Sequence, residues 1–161
     1  MKKIRIGFGY DVHRLKENES LILGGVNINY HKGTVGHSDA DLVIHAICDA
    51  ILGAANLRDI GFHFPDTDKK FKNFDSKFFL EETMVLIRKN SFEIGNIDVT
   101  IVLQKPKISP FIPIMQKVLS GFMKIDLEDI SIKATTTEKL GFVGKEEGIE
   151  AFANVLIYKN F

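Results

Sequence analysis

The chain is poor in the residues that stabilise small secreted proteins. Cys48 is its one cysteine among 161 residues, so neither an internal disulfide nor a cysteine-rich zinc module can form. Tryptophan is absent, and the four prolines do not lie in a low-complexity run. We therefore expect a globular protein in a reducing, cytoplasmic location.

An excess of one charge is also absent. Lysine and arginine total 21, aspartate and glutamate total 21, and the formal net charge is zero. Such a chain has no basic surplus with which to neutralise a nucleic-acid backbone. No apolar run approaches the roughly 20 residues that span a bilayer, and residues 1–7 have the pattern of a strand. We expect neither a nucleic-acid partner nor a membrane partner.

The patterning that is present predicts alternating strands and helices. Apolar residues are 45% of the chain and charged residues 26%, which are ordinary globular values, and the length suits one domain, residues 1–161. Periodicity predicts strands at residues 4–12, 97–103, 130–135 and 149–158, a hairpin at 20–30, and helices at 38–56, 75–89 and 110–124. This order predicts an α/β fold (an α+β sandwich), with a mixed sheet and helices on one face. Two loops, residues 57–68 and 136–148, lack both periods and are candidates for a site.

The strongest candidate site is a metal centre. Asp11 and His13 are two residues apart on the first predicted strand, so both side chains point to one face. The helix predicted at residues 38–56 is apolar almost all round, and its polar exceptions include His45 and Asp49 in one narrow sector. Two histidines and one aspartate can hold zinc with a fourth position open, and Asp49 could accept a hydrogen bond from the His45 ring. The alternatives are a solvated strand end and a core histidine bonded to a carboxylate.

Other polar clusters point to phosphate chemistry. Ser38 and Asp41 resemble a capping box at a helix N-terminus, beside His37, although Ser38 could be only a cap. The hydroxyls, lysines and carboxylate of residues 133–139 suit a phosphate bound with Mg²⁺, or else form an ordinary threonine-rich strand. The acids of residues 59–68 could bind a polyol, a metal or only water. We interpret His31 and His63 as structural or surface residues.

These residues together resemble the 2-C-methyl-D-erythritol 2,4-cyclodiphosphate synthase family. The matching blocks run in one order from end to end of the chain: Gly9-Tyr10-Asp11-Val12-His13, Leu23-Gly24-Gly25-Val26, His37-Ser38-Asp39, His45-Ala46 to Gly53-Ala54-Ala55, Asp59-Ile60-Gly61, Phe64-Pro65-Asp66-Thr67-Asp68, Asn96-Ile97-Asp98-Val99-Thr100 and Lys133-Ala134-Thr135-Thr136-Thr137-Glu138-Lys139-Leu140-Gly141-Phe142.

The resemblance implies a reaction and an assembly. The reaction is cyclisation of 4-diphosphocytidyl-2-C-methyl-D-erythritol 2-phosphate to the 2,4-cyclodiphosphate with release of CMP, a lyase step of non-mevalonate isoprenoid biosynthesis. The assembly is a homotrimer around a threefold axis, with active sites between neighbouring subunits. A central apolar cavity on that axis could also take an isoprenyl diphosphate.

The resemblance also implies roles for individual residues. It makes Asp11, His13 and His45 ligands of one Zn²⁺ per subunit, Glu138 a ligand of Mg²⁺ or Mn²⁺ on the substrate diphosphate, and His37 and Thr136 catalytic residues that stabilise the transition state. The same Asp11, His13, His37, Thr136 and Glu138 are expected to contact substrate. The further substrate-binding residues that it implies are Ser38, Asp59, Ile60, Gly61, Phe64, Pro65, Asp66, Thr67, Asp68, Leu103, Gln104, Lys105, Pro106, Lys107, Ser109, Thr135, Thr137, Phe142 and Lys145.

Two positions depart from the family pattern. Lys105 stands where the family often has a small residue, which adds a cation near the nucleotide. Lys145 stands where the family often has arginine. Lysine binds phosphate as a point charge, whereas arginine binds it in a bidentate manner. Two other functions also remain open on the residues: a zinc-dependent phosphohydrolase of a nucleotide-linked substrate, and a non-catalytic module that binds nucleotides or isoprenyl diphosphates.

Overall fold

The computed structural model describes residues 2–36, 38–65 and 74–160. The strands are β1 (Lys2–Glu17), β2 (Leu21–Leu23), β3 (Val26–Ile28), β4 (Lys32–Thr34), β5 (Glu93–Val102), β6 (Ile130–Thr135) and β7 (Gly148–Asn160). The helices are α1 (Leu42–Ala55), α2 (Ile60–His63), α3 (Ser76–Lys89), α4 (Ile112–Met123) and α5 (Gly141–Gly144). Within the described ranges, no helix is both long and apolar enough to cross a membrane.

The main sheet has the strand order β4-β1-β7-β5-β6, and β2 pairs with β3 as a separate hairpin. β7 is antiparallel to both β1 and β5, whereas β5 and β6 are parallel. The predicted mixed sheet is therefore confirmed. Since β1, β5 and β6 run in one direction, their carboxyl ends lie at one edge of the sheet. The threonine-rich cluster begins at the end of β6, and Asp11 and His13 lie in the carboxyl-terminal half of β1.

Helix α1 packs directly on β1 because two glycines remove the side chains between them. A Cβ atom built on Gly7 would lie 1.9 Å from the carbonyl oxygen of Ala50, and one on Gly9 would lie 1.9 Å from that of Ala46. Any larger residue would force the helix away from the strand. This close contact brings His45 of α1 over the inward face of β1.

The opposite face of β1 carries large apolar side chains that nothing in the described chain covers. They alternate along the strand, and Ile6 is 80% exposed; the set is Ile4, Ile6, Phe8, Tyr10 and Val12. On β7 the residues Ile149, Ala151 and Ala153 are buried, whereas Phe152 and Leu156 on the other face are only half-buried. The sheet is thus buried on the helix side and apolar but open on the other.

Most element predictions are confirmed, and the differences have local causes. The helix predicted at residues 38–56 begins at Leu42, one turn later, because Asp41 and not Ser38 is its N-cap: the Asp41 side chain accepts from the backbone N–H groups of Val43 and Ile44. The capping-box prediction for Ser38 is therefore wrong. The two loops without periodicity contain the one-turn helices α2 and α5, and the short strand β4 has no signal in the sequence.

Candidate metal centre and active site

The three predicted metal ligands converge on one point between β1 and α1. The Oδ2 atom of Asp11 lies 3.0 Å from Nε2 of His13 and 3.2 Å from Nδ1 of His45. One ligand atom from each residue lies within 4.8 Å of the others, in the one such cluster found among the described residues. Two imidazole nitrogens and one carboxylate oxygen form a set typical of a catalytic zinc site.

Backbone and side-chain partners orient both imidazoles toward this point. The Nδ1 atom of His13 lies 2.8 Å from the carbonyl oxygen of Val35, which can accept only from an N–H. In the neutral ring, Nδ1 of His13 therefore carries the proton, and Nε2, which faces Asp11, has the lone pair that a metal would take. A metal-binding histidine is commonly fixed in this way by a hydrogen bond on its second nitrogen.

Ser76 orients His45 in the same manner. Its Oγ lies 3.0 Å from Nε2 of His45, and its hydroxyl donates a short hydrogen bond to Asp39. Because that hydroxyl proton is already committed to Asp39, Ser76 accepts from Nε2–H and leaves the Nδ1 lone pair of His45 for a metal. Ser38 lies 3.3 Å from the same nitrogen.

The interpretation of Asp49 as the acceptor for the His45 ring is wrong. The Asp49 carboxylate instead accepts from the backbone N–H of Ile60 at 2.8 Å, where it fixes the start of α2. Ser76 takes the orienting role, and no sequence pattern predicts it because Ser76 lies 31 residues beyond His45 at the start of another helix.

The charge distribution at the cluster favours a cation. Burial on its own raises the pKa of Asp11, but the imidazoles of His13 and His45 beside it outweigh burial and hold that pKa well below the ordinary value. Burial similarly opposes protonation of His13, but the adjacent Asp11 carboxylate outweighs it and raises the pKa of His13. Without a metal, a proton can therefore lie between His13 and Asp11 where a cation would bind. A carboxylate that stays ionised beside two imidazoles is a preformed cation site.

A cavity of about 470 Å³ opens next to the cluster. His13 and His45 line it together with four of the predicted substrate-binding residues, Ser38, Ile60, Gly61 and Phe64. Asp59 caps α2 by accepting from the Phe62 N–H at 2.9 Å, and Pro65 follows Phe64 directly. His37, Asp66, Thr67 and Asp68 lie outside the described residues.

The second predicted cluster forms where β5 and β6 end. The backbone N–H of Leu103 donates to the carbonyl of Thr135 at 2.9 Å, and the backbone N–H of Lys139 donates to Oε1 of Gln104 at 3.2 Å. These bonds place the residues Leu103, Gln104, Lys105, Pro106 and Lys107, here called the nucleotide loop, beside Thr135, Thr136, Thr137 and Glu138. Ser109 starts the turn that follows the nucleotide loop.

Within this cluster the threonine hydroxyls are oriented by local bonds. The Thr136 hydroxyl donates to Oε1 of Glu138 at 2.9 Å, and Thr137 donates to the carbonyl of Leu140 at 2.6 Å. Thr136 and Glu138 are exposed, so both can reach a ligand. Phe142 and Lys145 lie near the β1 side, where they line a second cavity of about 910 Å³.

The two clusters share one sheet edge but do not meet within the chain. In register, Val12 pairs with Glu150 on β7, Glu150 with Val102 on β5, and Val102 with Thr135 on β6. Three strand spacings of about 4.8 Å separate β1 from β6, or roughly 14 Å. A ligand that touches both clusters of one chain would have to cross β7 and β5.

Sequence comparison finds relatives that match this chain over nearly its whole length. The chain is 60% identical over 157 residues to a protein of Parabacteroides distasonis named 2-C-methyl-D-erythritol 2,4-cyclodiphosphate synthase, covering 98% of each. A protein of the same name from Bacteroides thetaiotaomicron is 58% identical over 158 residues, covering 98% of this chain and 99% of the relative.

Solved structures share the fold over nearly the whole chain. A CDP complex of IspF from Plasmodium falciparum aligns with a TM-score of 0.86 at 43% identity, covering 98% of this chain and 97% of that one. The bifunctional IspDF of Campylobacter jejuni aligns with a TM-score of 0.95 at 42% identity over 99% of this chain, which spans 43% of that longer protein. The YgbB family matches residues 4–158. This chain therefore belongs to the YgbB family.

Proposed function

We propose that the chain converts 4-diphosphocytidyl-2-C-methyl-D-erythritol 2-phosphate to 2-C-methyl-D-erythritol 2,4-cyclodiphosphate and CMP, a lyase reaction of non-mevalonate isoprenoid precursor synthesis. The observation that carries the proposal is the convergence of Asp11, His13 and His45 beside a cavity, in a chain 60% identical to a synthase of that name. We place the protein in the cytoplasm and treat residues 1–161 as one domain.

The reaction requires that the phosphates be positioned and their charge stabilised, and it does not require a strong general base. The attacking group is a phosphate oxygen that is already ionised at neutral pH, so no side chain has to remove a proton from it. Two anionic phosphates must be brought together, and charge must be stabilised as CMP leaves. Fixed donors and bound cations do this in phosphoryl transfer.

Asp11, His13 and His45 would hold one Zn²⁺ per chain, and their donor set and oriented imidazoles fit that ion. When bound, a divalent cation polarises phosphoryl oxygens as a Lewis acid. Glu138 would hold Mg²⁺ or Mn²⁺. Since Glu138 is the one protein carboxylate that this proposal places on the second cation, the substrate diphosphate would have to supply further oxygens.

The two clusters divide the substrate between them. The cavity beside the metal centre would take the methylerythritol phosphate, with Asp59, Pro65 and the lining residues Ser38, Ile60, Gly61 and Phe64 as its walls. Thr135, Thr136 and Thr137 would contact the diphosphate. The nucleotide loop and Ser109 would receive the cytidine, and the CDP complex of the Plasmodium falciparum relative supports a nucleotide site in this fold. His37, Asp66, Thr67 and Asp68 remain predicted members of the site.

We also propose a homotrimer, because the open face of the sheet needs a cover. The exposed apolar side chains of β1 and the half-buried Phe152 and Leu156 form one continuous surface. Monomers rarely leave such a patch in water. A second chain packed there could set its nucleotide loop opposite the metal centre of its neighbour. A central cavity of such a trimer is where an isoprenyl diphosphate is predicted to fit.

The products decide between this function and the phosphohydrolase alternative, which the named relatives do not support. The purified protein is incubated with the cytidine substrate, Zn²⁺ and Mg²⁺, and the reaction is followed by ³¹P NMR. We expect the cyclic diphosphate and CMP to appear together in equal amounts. Inorganic phosphate or a linear diphosphate as the main product would identify a hydrolase instead.

A further inference from the structure

One carboxylate joins three distant segments beside the nucleotide loop. Glu146 follows α5, and its Oε2 atom accepts a hydrogen bond from the Tyr30 hydroxyl at 3.0 Å. Its Oε1 atom lies 3.3 Å from the ammonium nitrogen of Lys105, and its backbone carbonyl accepts from Lys32 at 3.2 Å. Each oxygen of the Glu146 carboxylate therefore has its own partner, the Tyr30 hydroxyl for Oε2 and the Lys105 ammonium group for Oε1.

The Tyr30 side of this network is anchored. The Tyr30 ring packs against the hydrophobic core, and it contacts the His31 ring with centroids 4.3 Å apart. Burial, with the neighbouring Glu146, raises the pKa of Tyr30 to about 12, so its hydroxyl stays a donor at any working pH. Glu146 itself is only 21% exposed, whereas Lys105 is 65% exposed. The network is therefore fixed at Tyr30, which packs against the core, and adjustable at Lys105, which belongs to the nucleotide loop.

The nucleotide loop is thereby held at two successive residues. Gln104 accepts from the backbone N–H of Lys139, which directly follows Glu138, and Lys105 pairs with Glu146. The extra cation that the sequence places at residue 105 is therefore already matched by a carboxylate. Because Glu146 is negative, direct contact with a diphosphate would be repulsive, so its effect on substrate must pass through Lys105.

We propose that Glu146 is a positioning residue that fixes the nucleotide loop for the cytidine end of the substrate, with Tyr30 as its anchor. This inference rests on the proposed function. It assigns Glu146 to substrate binding and not to the chemical step. The metal centre lies on β1 and α1, and both oxygens of the Glu146 carboxylate already contact Tyr30 and Lys105.

The expected change in substrate affinity is small because Lys105, one partner of the ion pair with Glu146, is largely exposed. Ion pairs with one well-exposed partner are weak, and a two- to fivefold change in a binding constant corresponds to about 0.4–1 kcal/mol. We therefore expect Glu146→Gln to raise the KM for the cytidine substrate and the Kd for CDP by about two- to fivefold, with kcat unchanged. Tyr30→Phe keeps the ring but removes the anchor, and it should shift both constants in the same direction.

The experiment is a double-mutant cycle with a structural readout. Glu146→Gln, Lys105→Met and the double variant are compared for kcat, KM, CDP affinity by calorimetry and hydrogen–deuterium exchange of residues 103–108. Glu82→Gln, a glutamate on the exposed face of α3, is the matched control. We expect faster amide exchange of residues 103–108 in each single variant. The double variant should lose no more CDP affinity than the weaker-binding single variant, and the control should be unchanged.

Three results would overturn the inference: unchanged CDP affinity and exchange in Glu146→Gln, losses that add fully in the double variant, or a fall in kcat at constant KM. The exchange rates and CDP affinity do not depend on turnover. A wild-type protein that makes no cyclic diphosphate would therefore refute the proposed function, while these two measurements would still decide the role of Glu146.

Discussion

At the scale of single residues, the metal centre is the part of the site that the sequence predicts best. Asp11 and His13 share a strand face by simple alternation, and His45 is a polar exception on an otherwise buried helix. The groups that orient them could not be predicted. Val35 acts through its backbone carbonyl, which every residue has, and Ser76 is brought to His45 only by the packing of α3 on α1.

Glu138 gives a residue-scale prediction about the second cation. Glu138→Gln removes the one negative charge offered to Mg²⁺ but keeps an oxygen that can accept from Thr136. We expect the Mg²⁺ concentration for half-maximal activity to rise roughly tenfold or more, with zinc content unchanged. The measurement is a Mg²⁺ titration of initial rates alongside metal analysis. An unchanged Mg²⁺ dependence would remove Glu138 from the metal site.

Thr136 gives a prediction about turnover. Its exposed hydroxyl is expected to contact charge that develops as CMP leaves, so Thr136→Ala should lower kcat by about 10- to 100-fold with a smaller change in KM. Thr137→Ala is the comparison variant: Thr137 is also placed on the diphosphate, but its hydroxyl donates to the carbonyl of Leu140, so its loss should lower kcat less. If steady-state kinetics gave only a KM effect for Thr136→Ala, that residue would be assigned to ground-state binding.

At the scale of elements, whether a segment forms a helix or a strand is easier to predict than where it begins and ends. The strand at residues 130–135 and the helix near residues 75–89 agree with β6 and α3, since apolar periodicity and a clear N-cap mark them. Helix α1 starts later than its apolar pattern suggests, because the Asp41 side chain accepts from four backbone N–H groups and caps the helix N-terminus there. Two of these donors belong to the turn between β2 and β3, a long-range contact that no local pattern shows.

Asp41 therefore carries a prediction about stability. Asp41→Ala would leave buried N–H groups of Gly24, Gly25, Val43 and Ile44 without an acceptor, at a cost of about 2–4 kcal/mol in the free energy of unfolding. Asp75→Ala at the exposed cap of α3 loses one such bond and should cost about 1 kcal/mol. Urea unfolding of both variants tests this, and equal losses would contradict the account.

At the scale of the whole molecule, the open sheet face is the main feature that the sequence anticipates. The alternation along residues 149–158 places apolar side chains on both faces of β7, and the structure buries one face under α1 while Phe152 and Leu156 stay half-open. What the sequence could not supply is the separation of the two clusters along the sheet edge. That separation follows from strand order, with β7 inserted between β1 and β5.

The whole-molecule prediction is activity shared between subunits. His45→Ala impairs the metal centre and Thr136→Ala the diphosphate cluster, so each homotrimer should be nearly inactive. Exchange of subunits should create some interfaces with both halves intact and restore part of the activity. The assay is product formation before and after mixing, with light scattering to establish the trimer. An active monomer, or trimeric mixtures that stay inactive after proven exchange, would refute sites made from two chains.

The central claim is that the Asp11, His13 and His45 centre holds the zinc on which cyclisation depends. It is tested most directly by titrating Zn²⁺ into metal-depleted protein, with Mg²⁺ constant, and measuring bound zinc and cyclic diphosphate formation in the same samples. We predict that activity rises in proportion to bound zinc and levels off at about one ion per chain, and that His45→Ala neither retains zinc nor recovers activity. Full cyclisation by the metal-depleted protein, or stoichiometric zinc retained by folded His45→Ala, would contradict the account.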